Sequence, residues 1–117
     1  MAWTLSVTNN YYADVEVLGS PVKSGQSQSF SQVLGNTFIS VPGLGAINFI
    51  DLGEEQVGGY SKATWGVLIS YQGDEVVFRY EGGGQLQVTI TRQGQAELGG
   101  NGGFSLVRLN SLVIPQS

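Results

Sequence analysis

The sequence predicts an all-β protein, a single antiparallel β-sandwich that spans residues 1–117. Apolar and polar residues alternate with a period of two along most of the chain, which is the pattern of half-buried strands. No window of about 11 residues shows the 3.6-residue period of a helix. Glycine, asparagine and proline recur at roughly ten-residue spacing, as turn residues do in β-sandwiches.

Two strands are predicted near the start of the chain. Trp3, Leu5 and Val7 alternate with polar residues, and the pair Asn9-Asn10 follows as a turn signal. A second alternation covers residues 13–18 and ends at the turn signal of residues 19–21, Gly-Ser-Pro. Each segment has one apolar and one polar face, so each is interpreted as a half-buried strand.

The middle and the end of the chain predict further strands. Apolar residues alternate over residues 65–71 and 76–80, and the turn between them is predicted at residues 72–74. The same pattern returns over residues 86–90 and 104–109. The glycine clusters beside these segments are interpreted as turns, with Gly83 and Asn101 in the left-handed region of backbone angles.

Composition excludes several classes of chemistry. The chain contains no Cys and no His, so it has no disulfide, no thiolate nucleophile, no imidazole base and no His/Cys site for zinc or haem. Nine acidic against five scattered basic residues give a net charge of −4. The basic cluster that binding to nucleic acid or to anionic lipid needs is therefore absent. No cofactor and no metal site is expected.

The sequence also bears on where the protein acts. It has no run of about 18 apolar residues, so no transmembrane helix is predicted. Its first residues begin a strand pattern and lack the basic and apolar regions of a secretory signal. We therefore expect a protein made in the cytosol without a signal peptide, or one whose leader has been removed.

Residues 24–50 form the longest segment without a charged side chain. Its first part is small and polar, and its second part is apolar. A β-hairpin that crosses a bilayer needs about 9–11 residues in each strand, with one row facing lipid and the other facing water. An ordinary uncharged hairpin of a sandwich is the alternative. The candidates for membrane insertion are Phe30, Phe38, Ile39, Val41, Ile47 and Phe49.

Aromatic and polar residues together suggest a ligand site. Sugars are bound by flat aromatic rings and by planar amide or carboxylate groups, and aromatic residues in turns are better functional candidates than those in strands. We expect at least one of Tyr11 and Tyr12 to be exposed, because both follow a turn signal. Simple packing of the rings is the alternative. The candidates for ligand binding are Tyr11, Tyr12, Tyr60, Asp74 and Asn101.

Two carboxylate groupings also need interpretation. Asp51 with Glu54 and Glu55 contains the ligand type that calcium prefers, and residues 74–75 with Glu81 contain the pair that a glycosidase needs. The simpler interpretation of residues 74–75 is that they are solvated turn residues at the end of a hairpin. An enzyme is the class of protein that the sequence favours least.

Residues 3–10, WTLSVTNN, followed by residues 13–17, ADVEV, resemble the first hairpin of small β-sandwich cytolysins, which include the aegerolysins and related bacterial insecticidal proteins. Residues 66–73, GVLISYQG, and 76–80, VVFRY, are similar to the hairpin that those proteins and the actinoporin-like fungal lectins carry in mid-chain. The chain lacks the Trp-rich centre and the cysteines of aegerolysins, so no binding residue is carried over.

The resemblance implies a defence or toxin protein that binds membranes or glycans, forms oligomers and acts outside the cell that makes it. Three functions therefore stand beside one another. The first is a membrane-active toxin, with a homo-oligomer and a second toxin component as its partners. The second is a small lectin that binds glycans without forming pores. The third is a structural subunit whose sheet edges pair, which the low charge favours.

Overall fold

The computed structural model describes residues 3–33, 35–56, 63–108 and 112–113, and the regular structure within these ranges is β throughout. Two sheets pack around a shared core, which confirms the prediction of an all-β sandwich. The strands are β1 (Trp3–Asn9), β2 (Val15–Val17), β3 (Ser20–Val22), β4 (Ser27–Val33), β5 (Thr37–Val41), β6 (Gly45–Gln56), β7 (Ala63–Tyr71), β8 (Asp74–Glu81), β9 (Gly84–Ile90), β10 (Ala96–Gly100), β11 (Gly103–Arg108) and β12 (Leu112–Val113).

The two-residue period decides which side chains form the core. Along β1, Trp3, Leu5, Val7 and Asn9 are buried, while the residues between them are partly exposed. Successive side chains of a strand point to opposite faces of its sheet, so one face of β1 lies against the other sheet. The ring centroid of Trp3 is 5.9 Å from that of Phe49 on β6, and this contact joins the two sheets through the core.

The smaller sheet has five strands in the order β12-β10-β9-β1-β4. Here β1 pairs antiparallel with β4 but parallel with β9, and β10 pairs parallel with β12. The prediction of an antiparallel sandwich was therefore wrong for these two pairings. Alternation of apolar and polar residues is the same in parallel and antiparallel strands, so the sequence pattern did not distinguish them.

The larger sheet has seven strands in the order β11-β8-β7-β6-β5-β2-β3, and all its pairings are antiparallel. The hairpin predicted around residues 72–74 is present as β7 and β8. Tyr71 and Asp74 form its last pair, so the turn consists of Gln72 and Gly73 alone. Both have positive φ angles, 52° and 84°, as the tightest hairpin turns require.

The hairpin that the resemblance implied between β1 and β2 is absent. β1 lies in the five-stranded sheet, whereas β2 pairs with β3 and β5 in the seven-stranded sheet. Residues 10–14 carry the chain from one sheet to the other. The likeness to the first hairpin of the cytolysins therefore does not extend to the strand pairing.

The uncharged segment of residues 24–50 is also divided between the two sheets. Its first strand, β4, pairs with β1, and its second strand, β5, pairs with β6. The prediction that its two arms form one hairpin with each other was therefore wrong. The apolar second part, residues 37–50, instead folds into the hairpin of β5 and the start of β6, with a turn that begins after Val41.

The side chain of Asn9 joins the two sheets where β1 ends. It is fully buried, and its Nδ2 donates hydrogen bonds of 2.9 Å to the carbonyl oxygens of Ala13 and of Val22 on β3. Its Oδ1 accepts a 2.9 Å hydrogen bond from the backbone N–H of Tyr11. One amide group therefore makes hydrogen bonds to three backbone groups, and such a group costs about 1–3 kcal/mol when it is buried without a partner.

We predict that Asn9→Ala lowers the free energy of unfolding by about 3 kcal/mol, since it leaves three backbone groups without this amide. Urea unfolding of the variant measures the loss. Asn10→Ala is the matched control, because Asn10 is the next residue and its side chain is exposed. An equal loss in the two variants would contradict the role assigned to Asn9.

We further predict that Asn9→Asp is destabilised most at neutral pH. A carboxylate has no N–H to give to the two carbonyl oxygens, so burial and these oxygens raise the pKa of the new carboxyl in the folded state. Its destabilisation is therefore smallest below the unfolded-state pKa and grows as pH rises through the folded-state pKa. Unfolding at acidic and neutral pH, with Asn10→Asp as control, tests this dependence.

Candidate functional site

Three tyrosines lie at one end of the sandwich, where loops from both sheets meet. We call this the tyrosine end and define it by Tyr11, Tyr12 and Tyr71. Tyr11 and Tyr71 are buried, whereas 79% of Tyr12 is exposed. The ring centroids of Tyr11 and Tyr12 are 4.5 Å apart. The prediction that at least one of these two residues is exposed is confirmed.

The two buried tyrosines connect the sheets. The hydroxyl of Tyr11, which follows β1, donates a 3.1 Å hydrogen bond to the carbonyl oxygen of Pro42 between β5 and β6. The hydroxyl of Tyr71, at the end of β7, donates a 2.7 Å hydrogen bond to the carbonyl oxygen of Gly94 between β9 and β10. Their rings and hydroxyls are therefore used by the fold, whereas the ring of Tyr12 is exposed.

Both buried tyrosines are harder to ionise than an ordinary tyrosine. Burial raises the pKa of Tyr71, and the charge of Tyr11 raises it further. The pKa of Tyr11 is raised by its side-chain hydrogen bond with Tyr12, then by burial and by the charge of Tyr12. These groups consequently stay protonated at neutral pH and act as hydrogen-bond donors.

A polar cleft of 560 Å³ lies beside the tyrosine end. The hydroxyl of Ser24 in its wall also donates a hydrogen bond to the carbonyl oxygen of Tyr11, so the cleft and the tyrosine loop share a residue. Amide, hydroxyl and guanidinium groups in one concave surface are suited to polar ligands such as sugars. The lining includes Asn10, Ser24, Thr91, Arg92, Gln95 and Glu97.

Asp74 differs from its prediction as a solvated turn residue. It is fully buried, because the two-residue turn leaves it as the first residue of β8. As a ligand-binding candidate it lies at the tyrosine end, opposite Tyr71. Glu81 lies at the other end of the same strand, roughly 23 Å away at 3.3 Å per residue. The two carboxylates therefore do not form the pair that a glycosidase requires.

Asn101 lies at the far end from the tyrosines, and its amide is used by backbone groups. Its Nδ2 donates a 2.8 Å hydrogen bond to the carbonyl oxygen of Gly83, and its Oδ1 accepts a 3.1 Å hydrogen bond from the N–H of Gln85. Asp74 and Asn101 therefore lie at opposite ends of the sandwich and do not share one site. The left-handed angles predicted for Gly83 and Asn101 were wrong, because the positive φ angles of these two turns belong to Gly82, 68°, and Gly100, 156°. Tyr60 lies outside the described residues.

Four of the six candidates for membrane insertion are core residues in the folded protein. Ile39, Val41, Ile47 and Phe49 are each at most 1% exposed. Phe30 is half-buried against the core, whereas 56% of Phe38 is exposed. Of these six residues, Phe38 is the one whose ring is available to lipid without opening the sandwich. Insertion of the others stays a prediction.

Phe38 belongs to a larger apolar surface on the outer face of the seven-stranded sheet. We call it the apolar stripe and define it by Leu18, Phe38, Ile50 and Leu52, each at least 40% exposed. The pairing of Val17 with Ile39 places Leu18 next to Phe38. Phe38 and Ile50 line one shallow depression of 300 Å³. The four side chains therefore lie on one outer face, across two strands and a turn.

The absence of a side chain at Gly66 accommodates Leu52, the last residue of the apolar stripe. The register between β6 and β7 shifts after Asp51, which is the signature of a β-bulge. Leu52 then lies over Gly66, and its Cδ1 is 3.5 Å from the position that a Cβ on Gly66 would occupy. The bulge is held by hydrogen bonds from the N–H of Asp51 to Asn36 and from the N–H of Gly53 to the Asp51 carboxylate.

The sequence contains a signal for the apolar stripe, although the alternation of apolar and polar residues did not predict this surface. Leu18 follows Asp14 and Glu16 in the polar series of its segment, and Ile50 follows Ala46 and Asn48 in the outward series of β6. Large apolar residues in an otherwise polar series mark an exposed apolar face. Alternation locates the strands, but it does not show that these exposed residues come together on one face.

Residues 3–33, 35–56, 63–108 and 112–113 contain no group of three or more His, Cys, Asp or Glu side chains placed to hold a metal ion. The same residues contain no helix of the length and apolarity needed to cross a membrane.

Comparison of the chain with protein-family models, with curated proteins and with solved structures finds no significant match. The resemblance to small β-sandwich cytolysins thus remains a prediction that these comparisons do not test.

We predict that the protein loses stability above about pH 10, the ordinary pKa of tyrosine. The raised folded-state pKa values of Tyr11 and Tyr71 mean that stability is full below the unfolded-state pKa and falls as pH rises through the folded-state values. Tyr71→Phe costs about 1 kcal/mol at neutral pH through its lost hydrogen bond but makes the alkaline decline shallower. Urea unfolding across this pH range measures both effects, and equal alkaline slopes would contradict the assignment.

Proposed function

We propose that this protein is a non-enzymatic binding protein of the defence or toxin type, which attaches to target-cell membranes through the apolar stripe. The observation that supports this function is the sharing of one sheet face by Leu18, Phe38, Ile50 and Leu52. Four side chains of this size, each about half exposed, present a few hundred Å² of apolar surface, the size at which such patches mark interaction sites.

The surroundings of the stripe favour an uncharged membrane surface. The chain carries a net charge of −4, and the acidic Glu16 and Glu75 lie in neighbouring positions of the same outer face. Acidic side chains are repelled by the negative surface potential of anionic lipids. We therefore propose zwitterionic headgroups as the target, with attachment driven by transfer of apolar surface.

Attachment by the folded protein is proposed as the first step at the membrane. Insertion of residues 24–50 would require Ile39, Val41, Ile47 and Phe49 to leave the core, where they are almost completely buried. Their removal would cost the burial energy of four large side chains, about 1.5–3 kcal/mol each. The stripe, in contrast, is available without any rearrangement.

Phe38→Thr/Ile50→Thr is the variant that tests the stripe. Threonine is β-branched, which suits an exposed strand position, and it has less apolar area than phenylalanine or isoleucine. We expect flotation with phosphatidylcholine vesicles to show at least tenfold weaker binding. Each change removes apolar surface whose transfer from water to lipid contributes about 1 kcal/mol to the free energy of binding. Tyr12→Ala is the matched control, since it removes an exposed aromatic residue outside the stripe. Equal binding by wild type and the double variant would overturn the proposal.

A lectin is the second candidate function, and the polar cleft beside exposed Tyr12 supports it. For the lectin, Tyr12→Ala is the test variant and Phe38→Thr/Ile50→Thr is its control. Tyr12→Ala is expected to lose binding on a glycan panel, whereas Phe38→Thr/Ile50→Thr keeps it. Vesicle binding that is insensitive to the stripe, together with glycan binding that depends on Tyr12, would replace the membrane function by the lectin.

A further inference from the structure

Two hairpins of the larger sheet close with the same two-residue turn. Leu18 and Gly19 join β2 to β3, with φ angles of 50° and 77°. Gln72 and Gly73 join β7 to β8, with φ angles of 52° and 84°. Positive φ at both central residues is the geometry of a type I′ turn. The two turns therefore match in their backbone and differ in their first residue, which is apolar in one and polar in the other.

Leu18 is an unfavourable residue for this turn. The first position of a type I′ turn favours glycine, asparagine and aspartate, which have no side chain or a short polar one that forms local hydrogen bonds. Leucine has no polar atom, and its Cβ crowds the following carbonyl oxygen when φ is positive. In the matched turn, the Nε2 of Gln72 donates a 3.4 Å hydrogen bond to the carbonyl oxygen of Leu44. A leucine side chain cannot form such a bond.

Packing in the core does not account for Leu18 either. Its side chain is 56% exposed, whereas Val17 on β2 and Val22 on β3 are buried. The residue therefore combines an unfavourable backbone conformation with apolar surface in water. Residues held in sparsely populated regions of φ and ψ cluster at functional sites, where the surrounding structure maintains them. This combination indicates that Leu18 has a role beyond the folding of its own hairpin.

Leu18 also lies at the edge of its sheet. Among the described residues β3 is the last strand on this side of the seven-stranded sheet, so the β2–β3 turn lies at the sheet edge. The register of β2 with β5 places Leu18 beside Phe38, at one end of the apolar stripe. Two positions earlier, Glu16 is exposed and charged. The turn therefore presents apolar surface beside a strand that carries an acidic side chain.

We propose that Leu18 is a membrane anchor whose side chain enters the hydrocarbon region of the bilayer, and that the protein retains leucine there at a cost in stability. This inference rests on the proposed function and specifies which residue of the apolar stripe penetrates. Transfer of a leucine side chain from water to hydrocarbon is favourable in proportion to its apolar area. A charged group in hydrocarbon is costly, so Glu16 stays among the headgroups and the penetrating part is the turn.

Leu18→Asn separates this role from packing against Phe38, which is the alternative reason for the leucine. Asparagine favours the positive φ of the turn, so the proposal predicts a urea midpoint about 0.3–0.5 M higher than that of wild type. If packing were the reason, the loss of the leucine would lower the midpoint. A midpoint equal to or below that of wild type would overturn the claim that leucine is retained at a cost in stability.

The same variant is measured by flotation with phosphatidylcholine vesicles. Leu18→Asn is expected to bind at least fivefold more weakly than wild type, because the apolar area that enters the bilayer is lost. Higher stability together with weaker binding cannot result from partial unfolding. If wild type binds and Leu18→Asn binds equally well, the anchor is overturned and the proposed function stands. If wild type itself does not bind these vesicles, both are overturned.

Gln72→Asn is the matched control, because it places asparagine at the same position of the matched turn and outside the apolar stripe. It is expected to bind vesicles like wild type. Leu18→Met, which keeps an apolar side chain at the anchor, is expected to bind within about twofold of wild type. Weaker binding of Gln72→Asn, or a loss in Leu18→Met as large as in Leu18→Asn, would contradict the assignment to the apolar side chain of Leu18.

A fluorescent label tests entry into the hydrocarbon directly, because the chain has no cysteine of its own. Leu18→Cys and Gln72→Cys are each labelled with nitrobenzoxadiazole, whose emission shifts to the blue in an apolar medium. On phosphatidylcholine vesicles, the label at position 18 is expected to shift and to be quenched by lipids that carry a spin label in the acyl chain. The label at position 72 is expected to stay in water. Unchanged emission at position 18 in the bound protein, or equal shifts at both positions, would overturn the anchor.

Discussion

The side chain of Asn9 lies where the smaller sheet meets the larger one, and it satisfies backbone groups on both sides of that junction. The loop that follows it carries the chain from β1 to β2, so the position of the tyrosine end depends on the same hydrogen bonds. Tyr11 and Tyr71 add two further bonds between loops of the two sheets. This end of the sandwich is therefore closed by specific hydrogen bonds, which a sliding or opening sheet would have to break.

A closed sandwich limits how the protein meets its target. The strands that look suited to a bilayer in sequence, β5 and the start of β6, place Ile39 and Ile47 in the core. The proposed attachment therefore uses the outer face, where Phe38 and Ile50 project from the same two strands. One segment thus supplies core residues inward and stripe residues outward, because successive side chains of a strand alternate.

Alternation predicted the existence of the strands and the β7–β8 hairpin, because burial of one face is a local property of the sequence. The pairing partners of the strands could not be predicted from alternation. β1 pairs with β4 and β9, which lie far from it in sequence, and alternation is the same in parallel and antiparallel pairs. The burial of Asp74 depended on a turn one residue shorter than predicted. The prediction that at least one of Tyr11 and Tyr12 is exposed was correct. The apolar stripe could not be predicted in this way, because the positions of Leu18 and Leu52 depend on the β2–β5 pairing and on the bulge between β6 and β7.

Hydrogen exchange of the membrane-bound protein tests most directly whether the sandwich binds as a closed body. Amides of β5 and β6 are compared in the presence and absence of phosphatidylcholine vesicles. The closed sandwich predicts that the amides of Ile39 and Ile47 keep their slow exchange when the protein is bound, since their strands stay paired. Faster exchange at these two positions on vesicles would contradict the account and show that the strands leave the core to enter the membrane.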